Sequence, residues 1–386
     1  MKVKTLLLSI VASVFFAACS DSSAPTVPGV PGEEGGDIAY SSDAGGNPIP
    51  ESATSSPSGD NGGNTPAAPG GTPVSRIGAL SVVGNQVVGA NGQPAQLRGM
   101  SMFWDIFKEG TKYYNTDVVN WLSSDWNVSI VRAAMAFEEN GYVPGGDFEG
   151  YVKNPSWNQQ KVETIVDAAI ANGIYVIIDL HSHWVGASDH KSDWPKAKAF
   201  FEAMATKYGQ YPNVIYEIYN EPGMDDDGWP KIKEYAETII PAIRAIDPDN
   251  LIVVGTPGYS SKVNLVTALT GVTNVAYTFH FYASEQWHHD NYLPMVKSVA
   301  KTLPLFVTEW GLSPASGNGS INTQWVEDFM TWMEGEKLSW AAWSICDKNE
   351  SSAALIPGAP ANGGWSDANL SESGKYLRNK IRELNP

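Results

Sequence analysis

Two glutamates, Glu221 and Glu309, are the residues of this sequence best suited to catalysis. Each lies at or near the end of a short apolar run, and Glu221 directly follows Asn220. Two carboxyl groups that meet in one cleft are what glycosidic bond cleavage needs, because one protonates the leaving oxygen and the other acts as nucleophile or base. The Asn220 amide is suited to hold a sugar hydroxyl beside that bond, so we interpret Glu221 as the acid/base, with a raised pKa.

Glu309 is expected to be the ionised partner. Arg132 and Tyr282 lie on other apolar runs, where they are available to form an ion pair and a hydrogen bond with an ionised carboxylate. Such contacts suit a nucleophile. Buried strands rarely end in many polar groups unless these form a site, and several further runs also end in such residues, namely His181, His183, His280 and Trp343.

Eight apolar or β-branched runs predict the strands that position these residues. They are 97–101, 129–135, 174–181, 213–220, 251–255, 274–282, 304–310 and 339–344. Segments with helical spacing lie between them, at 162–171, 194–208, 232–246, 293–303 and 325–333. This alternation predicts a (β/α)8 (TIM) barrel, whose strands are buried on both faces and whose chemistry lies at their carboxyl ends.

An open, doubly wound sheet is the alternative to the barrel. Such a sheet usually carries a Gly-rich phosphate loop after its first strand, and this sequence has no such loop there. Before the barrel, the sequence predicts a short N-terminal β-hairpin at 79–88, with a turn at Asn91-Gly92.

Composition restricts the partners. The chain has 386 residues, of which 42% are hydrophobic, and a formal net charge of -17. Phosphate binding needs clustered Lys and Arg, so we expect neither nucleic acid nor an anionic membrane surface as a partner. A neutral or cationic ligand fits this charge better.

The amino terminus has the pattern of an export signal. Lys2 and Lys4 precede an apolar run at 6–18 that is too short to span a bilayer, and Cys19 follows it. The end of the run resembles a bacterial lipobox, so we expect residues 1–19 to be a lipoprotein signal and Cys19 to be lipidated. Cleavage near Ala18 with free secretion is the alternative. Cys346 is then the one remaining cysteine, and no intramolecular disulfide is expected.

Residues 20–75 are predicted to be a disordered linker. They are rich in Gly, Pro and Ser, with seven acidic residues and no Lys or Arg. Such a segment cannot bury enough apolar surface to fold. We therefore expect a tether between a lipid anchor at the cell envelope and a catalytic domain at 76–386.

The blocks Ile218–Pro222 and Phe306–Gly311 resemble glycoside hydrolase family 5. The bacterial endoglucanase branch of that family is also resembled by 97–101, 131–135, 178–181, 279–283 and 343–355. The resemblance implies a (β/α)8 barrel and retaining hydrolysis of β-1,4-glucan without a cofactor or metal, with Glu221 as acid/base and Glu309 as nucleophile. It also implies a supporting site of Arg132, His181, Asn220, His280, Tyr282 and Trp343.

Sugar contacts are expected from aromatic and charged residues near the strand ends. We expect Trp104, Trp184, Tyr259 and Trp343 in the cleft, and Lys348 and Glu350 at equatorial hydroxyls. Where relatives often place an aromatic after Met135, this chain has Ala136, with Tyr142 as a possible substitute. The alternative for Lys348 and Glu350 is a solvent-exposed ion pair in a loop, with no role in sugar binding.

Three other functions compete with endoglucanase activity. A metal-dependent hydrolase would use the residues His181, Ser182, His183, His280 and Asp347. A β-mannanase or mixed-linkage β-glucanase would differ in a few cleft contacts. A non-catalytic, surface glycan-binding lipoprotein predicts the loss of one catalytic acid, yet both glutamates are present. We expect a monomer that binds cellulose and cello-oligosaccharides.

Overall fold

The computed structural model describes residues 71–138, 146–223 and 228–385. β3 to β10 are parallel and form a closed barrel, in which each strand pairs with the next and β10 pairs with β3. The predicted (β/α)8 barrel is confirmed, and each of its strands begins one residue after the start of a predicted run. The strands are β1 (Ser81–Val83), β2 (Gln86–Val88), β3 (Arg98–Met102), β4 (Ile130–Ala136), β5 (Tyr175–His181), β6 (Val214–Glu217), β7 (Ile252–Val254), β8 (Val275–Tyr282), β9 (Leu305–Gly311) and β10 (Trp340–Ile345).

Helices follow most of the barrel strands. The helix expected at 194–208 has those bounds, whereas the one expected at 293–303 ends at Val299. The helices are Pro73–Ile77 before the hairpin, Lys108–Thr111 and Thr116–Ser124 after β3, Pro155–Asn172 after β4, Trp194–Tyr208 after β5, Trp229–Arg244 after β6, Leu293–Val299 after β8, Thr323–Gly335 after β9 and Glu372–Leu384 after β10. Short 3-10 or π turns occur at Ser188–Asp193, Val263–Leu265, His288–Tyr292 and Asp367–Asn369.

The connection after β7 departs from the regular alternation. It begins with the short turn Pro257–Ser260, in which Gly258 and Tyr259 have φ values of 63° and 58°. Left-handed backbone angles stop a right-handed helix, and only Gly adopts them without steric cost. The loop therefore bends back at the carboxyl end of the barrel, where it presents Tyr259.

A hairpin of β1 and β2 precedes the barrel, as predicted. Its turn is at Gly84-Asn85, where Gly84 has a φ of 64°. The predicted turn residues Asn91-Gly92 belong to a later turn, which the Gly92 N–H closes with the Gly89 carbonyl. The hairpin packs on the interior of the barrel, because Leu80 and Val87 share one apolar cluster with the inward residues of its strands.

Side chains alternate across each barrel strand, and this alternation places the site. The inward residues of the first part of each strand are apolar and fill the barrel, for example Ile130, Tyr175, Ile177, Ile215, Ala276 and Phe306. Successive inward positions are two residues apart. Continued toward the carboxyl ends, the same positions are buried polar residues, namely Arg132, Asp179, His181, Glu217, Thr278 and His280. We call these buried polar residues the polar layer. It lies at the carboxyl ends of the strands, next to the apolar interior of the barrel.

β9 contains one irregularity that matters for this layer. Thr278 lies opposite Phe306, but His280 lies opposite Glu309, so the register with β8 shifts between them. The register with β10 shifts in the same region. A β-bulge of this kind re-aims side chains. Consequently, two consecutive residues, Thr308 and Glu309, both reach the polar layer.

Regular structure is already present before residue 76. Helix Pro73–Ile77 has Thr72 as its N-cap, and the Val74 N–H donates to the Gly173 carbonyl. Residues 1–19, with Cys19, and the linker up to residue 70 lie outside the described residues. Within the described ranges, no helix has the length and apolar character needed to span a bilayer.

Candidate active site

Arg132 is the centre of the polar layer. Its guanidinium group is fully buried and binds three carboxylates. Nε lies 2.7 Å from Glu217 Oε2, Nη2 lies 2.9 Å from Asp179 Oδ2, and Nη1 lies 3.0 Å from Glu309 Oε2. Nη2 also donates to Asn220 Oδ1 at 2.6 Å. A buried arginine needs such partners because an unpaired charge is costly there, and in return it fixes the positions of the groups around it.

Glu309 is held as expected for a nucleophile. Arg132 binds one carboxylate oxygen, and the Tyr282 hydroxyl donates to the other at 2.8 Å. Burial and then the charge of Glu221 raise the pKa of Glu309, while His280, Arg132 and Tyr282 act to lower it. The ionised form of Glu309 is therefore favoured most when Glu221 is neutral.

Glu221 lies between two histidines. Its Oε1 is 2.9 Å from His280 Nδ1, and its Oε2 is 3.1 Å from His183 Nε2. Burial raises the pKa of Glu221, but when His183 and His280 both donate hydrogen bonds to its carboxylate, these bonds outweigh burial and lower the pKa to about 2. The raised pKa expected from the sequence is therefore absent while both imidazoles act as donors. A catalytic acid needs a proton, so the protonation of these histidines decides the role of Glu221.

The carboxyl groups of Glu221 and Glu309 face each other closely. One oxygen of Glu221, one oxygen of Glu309 and one nitrogen of His280 all lie within 4.8 Å of one another. Retaining glycosidases have carboxyl groups about 5–5.5 Å apart, whereas inverting enzymes need about 6.5–9.5 Å to admit a water molecule. The short separation is the geometry of a retaining pair.

His181 and Asn220 form a second group beside this pair. Asn220 Oδ1 accepts from Arg132, so its Nδ2 faces His181 Nε2 at 3.4 Å. His181 Nδ1 is then the donor to Asp179 Oδ2, at 2.6 Å. Burial and then the charge of Arg132 lower the pKa of His181 far below its usual value, which keeps the imidazole neutral.

Aromatic rings surround His181 and His183. The Trp343 ring stacks on His181, with centroids 5.3 Å apart, and Trp104 meets His181 edge-on at 4.1 Å. Trp104 also stacks on His183 at 5.7 Å. The expected supporting residues and both tryptophans therefore share one site.

Tyr259 and Trp184 also lie near the site. The ring of Tyr259, which is 46% exposed, lies 5.9 Å from that of His183. The backbone N–H of Trp184 donates to buried Glu138. The Trp184 ring lies against Gly223, two residues after Glu221. Tyr259 is thus an exposed aromatic at the rim, whereas Trp184 is half-buried.

Lys348 and Glu350 form an ion pair with each other, at 2.7 Å. The Lys348 Nζ also lies 5.8 Å from the centroid of the Phe103 ring, which in turn lies 5.3 Å from that of Trp343. Both residues are therefore close to the expected cleft. Ala136 is buried, and Tyr142 lies outside the described residues.

Among the described residues, the set expected for a metal-dependent hydrolase does not form a group with metal-ligand spacing; the group found there with such spacing is Glu221, His280 and Glu309. Asp347 instead pairs with Lys112 at 2.6 Å. Cys346 is buried and free in the described part of the chain.

The sequence matches a family model described as cellulase (glycosyl hydrolase family 5) over residues 88–349. The chain belongs to glycoside hydrolase family 5. It is 40% identical to an endoglucanase of Clostridium saccharobutylicum, over 79% of this chain and 65% of that protein. It is 42% identical to endoglucanase Z of Dickeya dadantii, over 78% of this chain and 66% of that protein.

A solved family 5 structure has the same fold. The catalytic domain of Thermobifida fusca endoglucanase Cel5A (E5), solved as a variant in complex with cellotetraose, is 34% identical, with a TM-score of 0.72. The match covers 81% of this chain and all of that domain. The chain spans just under two thirds of the length of the two curated endoglucanases.

Three residues of this site, Asp179, Glu217 and Thr308, were not predicted from the sequence. Asp179 and Glu217 hold Arg132, Thr308 binds His280, and His183 binds Glu221. Asp179 and Glu217 did give a signal, because each is a charged residue within an otherwise apolar run. His183 was noted at the end of its run, but nothing in the sequence indicated that it reaches Glu221.

Proposed function

We propose that this family 5 protein is a retaining endo-β-1,4-glucanase, which hydrolyses internal bonds of soluble or amorphous β-glucan. The observation that carries the proposal is the close pair of carboxyl groups at the ends of β6 and β9, each with its own hydrogen-bond partners. The names of the relatives support the same substrate class, as does the cellotetraose bound to the Thermobifida domain.

The reaction follows from this geometry. The ionised carboxylate of Glu309 attacks the anomeric carbon and forms a covalent glycosyl-enzyme, while Glu221 protonates the leaving oxygen. Glu221, now ionised, takes a proton from a water molecule that attacks the intermediate, and Glu309 leaves. Two inversions give net retention, and the proton returns to Glu221.

Purified protein should release reducing ends from carboxymethylcellulose and β-glucan faster than from xylan or mannan. Proton NMR during the first minutes should show the β-anomer of the new reducing end, because double displacement retains configuration. Glu309→Ala protein serves as the negative control for contaminating hydrolases.

The competing functions predict other results. Hydrolysis of mannan faster than of carboxymethylcellulose, or hydrolysis of mixed-linkage glucan but not of carboxymethylcellulose, would assign the protein to those alternatives. Initial release of the α-anomer would contradict retention. Glucan binding without hydrolysis would indicate the non-catalytic glycan-binding lipoprotein.

We also propose that the protein is exported and anchored by a lipid on Cys19. The support is the pattern of residues 1–19 followed by a Gly/Pro/Ser-rich segment. Labelled palmitate should enter the wild-type protein but not Cys19→Ala, because only a cysteine at the mature amino terminus receives the diacylglycerol. Equal labelling of both proteins, or of neither, would exclude lipidation at Cys19.

We propose further that the protein acts as a monomer. All the site residues described above come from one chain, so the site needs no second copy. Light scattering after size-exclusion chromatography should give the mass of a single chain.

A further inference from the structure

A chain of hydrogen bonds continues from Glu221 through His280 into the barrel. His280 Nδ1 lies 2.9 Å from Glu221 Oε1, and His280 Nε2 lies 2.8 Å from Thr308 Oγ1. The Thr308 hydroxyl lies 2.6 Å from Glu217 Oε1. His280, Thr308 and Glu217 are all buried, so bulk water cannot replace these contacts.

The direction of each hydrogen bond can be worked out from Glu217. Its carboxylate is paired with Arg132 Nε at 2.7 Å, and an ionised carboxylate only accepts. The short contact with Thr308 therefore requires Thr308 to donate its one proton to Glu217. Thr308 Oγ1 is left with lone pairs, so the contact with His280 requires a proton on Nε2 of the imidazole.

A neighbouring hydroxyl does not change this result. Thr278 Oγ1 lies 2.5 Å from Thr308 Oγ1 and 3.2 Å from Glu217 Oε1. Thr278 can donate to either atom, and in both cases the Thr308 proton remains directed at Glu217. A neutral His280 therefore carries its proton on Nε2 and presents the lone pair of Nδ1 to Glu221.

We propose that Thr308 and Glu217 are positioning residues, which fix the Nε2–H tautomer of His280 so that its Nδ1 accepts a hydrogen bond from the protonated Glu221 carboxyl group. The inference rests on the proposed function and deepens it. Glu221 is then the protonated acid that the first step needs. The negative charge that acts to raise the pKa of Glu309 is also removed, so the nucleophile ionises more readily.

The same arrangement serves the second step. After Glu221 has given its proton to the leaving oxygen, its carboxylate faces the Nδ1 lone pair, which does not stabilise the negative charge. Glu221 then takes a proton from the attacking water and the original hydrogen bond is restored. No net proton passes to Thr308 or Glu217.

Charged and titratable groups face His280 from several elements. They are His181 from β5, Glu217 from β6, Glu221 from the segment after β6, and Glu309 from β9. Two further charged or titratable groups, Arg132 and His183, contact these carboxylates. Thr308→Val leaves all six groups in place and replaces only a hydroxyl by a methyl group. The variant therefore tests the effect of the His280 tautomer without changing the charges around it.

The pH profile of kcat/KM tests the proposal, with an aryl cellobioside that has a poor leaving group as substrate. In Thr308→Val, His280 can carry its proton on Nδ1 and donate it to the Glu221 carboxylate, which lowers the pKa of the acid. The basic limb of the kcat/KM profile, where activity falls as the acid loses its proton, should move to lower pH by about one unit. Thr308→Ser should restore the wild-type limb.

A matched control is Thr256→Val. Thr256 is also buried near a strand end, but its hydroxyl donates to the Thr278 carbonyl and does not touch His280. Its pH profile should equal that of the wild type. A Thr308→Val enzyme that is slower but has an unmoved basic limb would overturn the proposal, because a purely structural role has that effect.

Nitrogen-15 NMR of histidine-labelled protein reads the tautomer without any activity. The His280 signals, assigned by comparison with His280→Gln, should show a protonated Nε2 and an unprotonated Nδ1 in the wild type. The opposite tautomer would overturn the proposal, even if Thr308→Val failed to fold. A wild type that hydrolyses no glucan or aryl cellobioside would instead refute the proposed function, and the NMR result would still decide the tautomer.

Discussion

Glu309→Ala should abolish turnover of every substrate, with kcat reduced on the order of 10⁵-fold or more. Without this carboxylate no covalent glycosyl-enzyme forms, and a good leaving group gives no help. Azide, bound in the space left by the side chain, should attack the anomeric carbon directly. The product of that single inversion is the α-glycosyl azide, which NMR identifies.

The loss should not result from unfolding. Arg132 keeps its contacts with Asp179 and Glu217 in this variant, so the buried guanidinium is not left without a partner. The melting temperature and circular dichroism of Glu309→Ala should therefore stay near those of the wild type. Glu237→Ala, which removes an exposed glutamate from the outer helix Trp229–Arg244, is the matched control and should keep full activity. Residual kcat within tenfold of the wild type would contradict the role of Glu309.

Most of the fold follows from the sequence because two simple patterns coincide. Strands covered on both faces must be almost entirely apolar, and this requirement makes runs such as 174–181 visible. The carboxyl ends of all strands of such a barrel meet at one face, so polar residues near the ends of the runs had to lie together. For this reason Arg132, His181 and His280 could be grouped from the sequence alone.

The parts that could not be predicted depend on local backbone geometry. The bulge in β9 turns both Thr308 and Glu309 inward, although strict alternation allows only one of them. The left-handed angles at Gly258 and Tyr259 give a tight loop after β7, where a regular (β/α)8 barrel has a helix. A change of one residue in register, or of one torsion angle, leaves no trace in hydrophobic periodicity.

The protonation states of Glu221 and its two histidine partners could not be predicted from the sequence, for a different reason. Asn220 beside Glu221 suggested an acid with a raised pKa, but the environment of Glu221 is set by His183 and His280. Whether these imidazoles donate or accept depends on contacts further inside the barrel. Hydrogen-bond directions belong to the whole network and not to any one motif.

Glu221→Ala should behave differently from Glu309→Ala because the acid/base acts in both steps but forms no bond to the sugar. On β-glucan, whose leaving group is a sugar hydroxyl, kcat should fall by about 10²–10⁴-fold, the usual contribution of general acid-base catalysis. On dinitrophenyl cellobioside the leaving group needs almost no protonation, so glycosylation should survive and a burst of phenolate should appear. Deglycosylation then lacks its base, and the glycosyl-enzyme should accumulate on Glu309, where mass spectrometry of a peptide digest detects it.

Azide distinguishes the two glutamates by the configuration of the product. In Glu221→Ala, azide needs no general base and should attack the accumulated glycosyl-enzyme from the face opposite Glu309. Two inversions then give the β-glycosyl azide, and kcat on the dinitrophenyl substrate should rise with azide concentration. The same azide concentrations applied to the wild type provide the control, since a carboxylate at 221 repels the anion. Formation of the α-azide by Glu221→Ala, together with the β-azide by Glu309→Ala, would reverse the two roles. Full activity in both variants would refute the carboxylate pair itself.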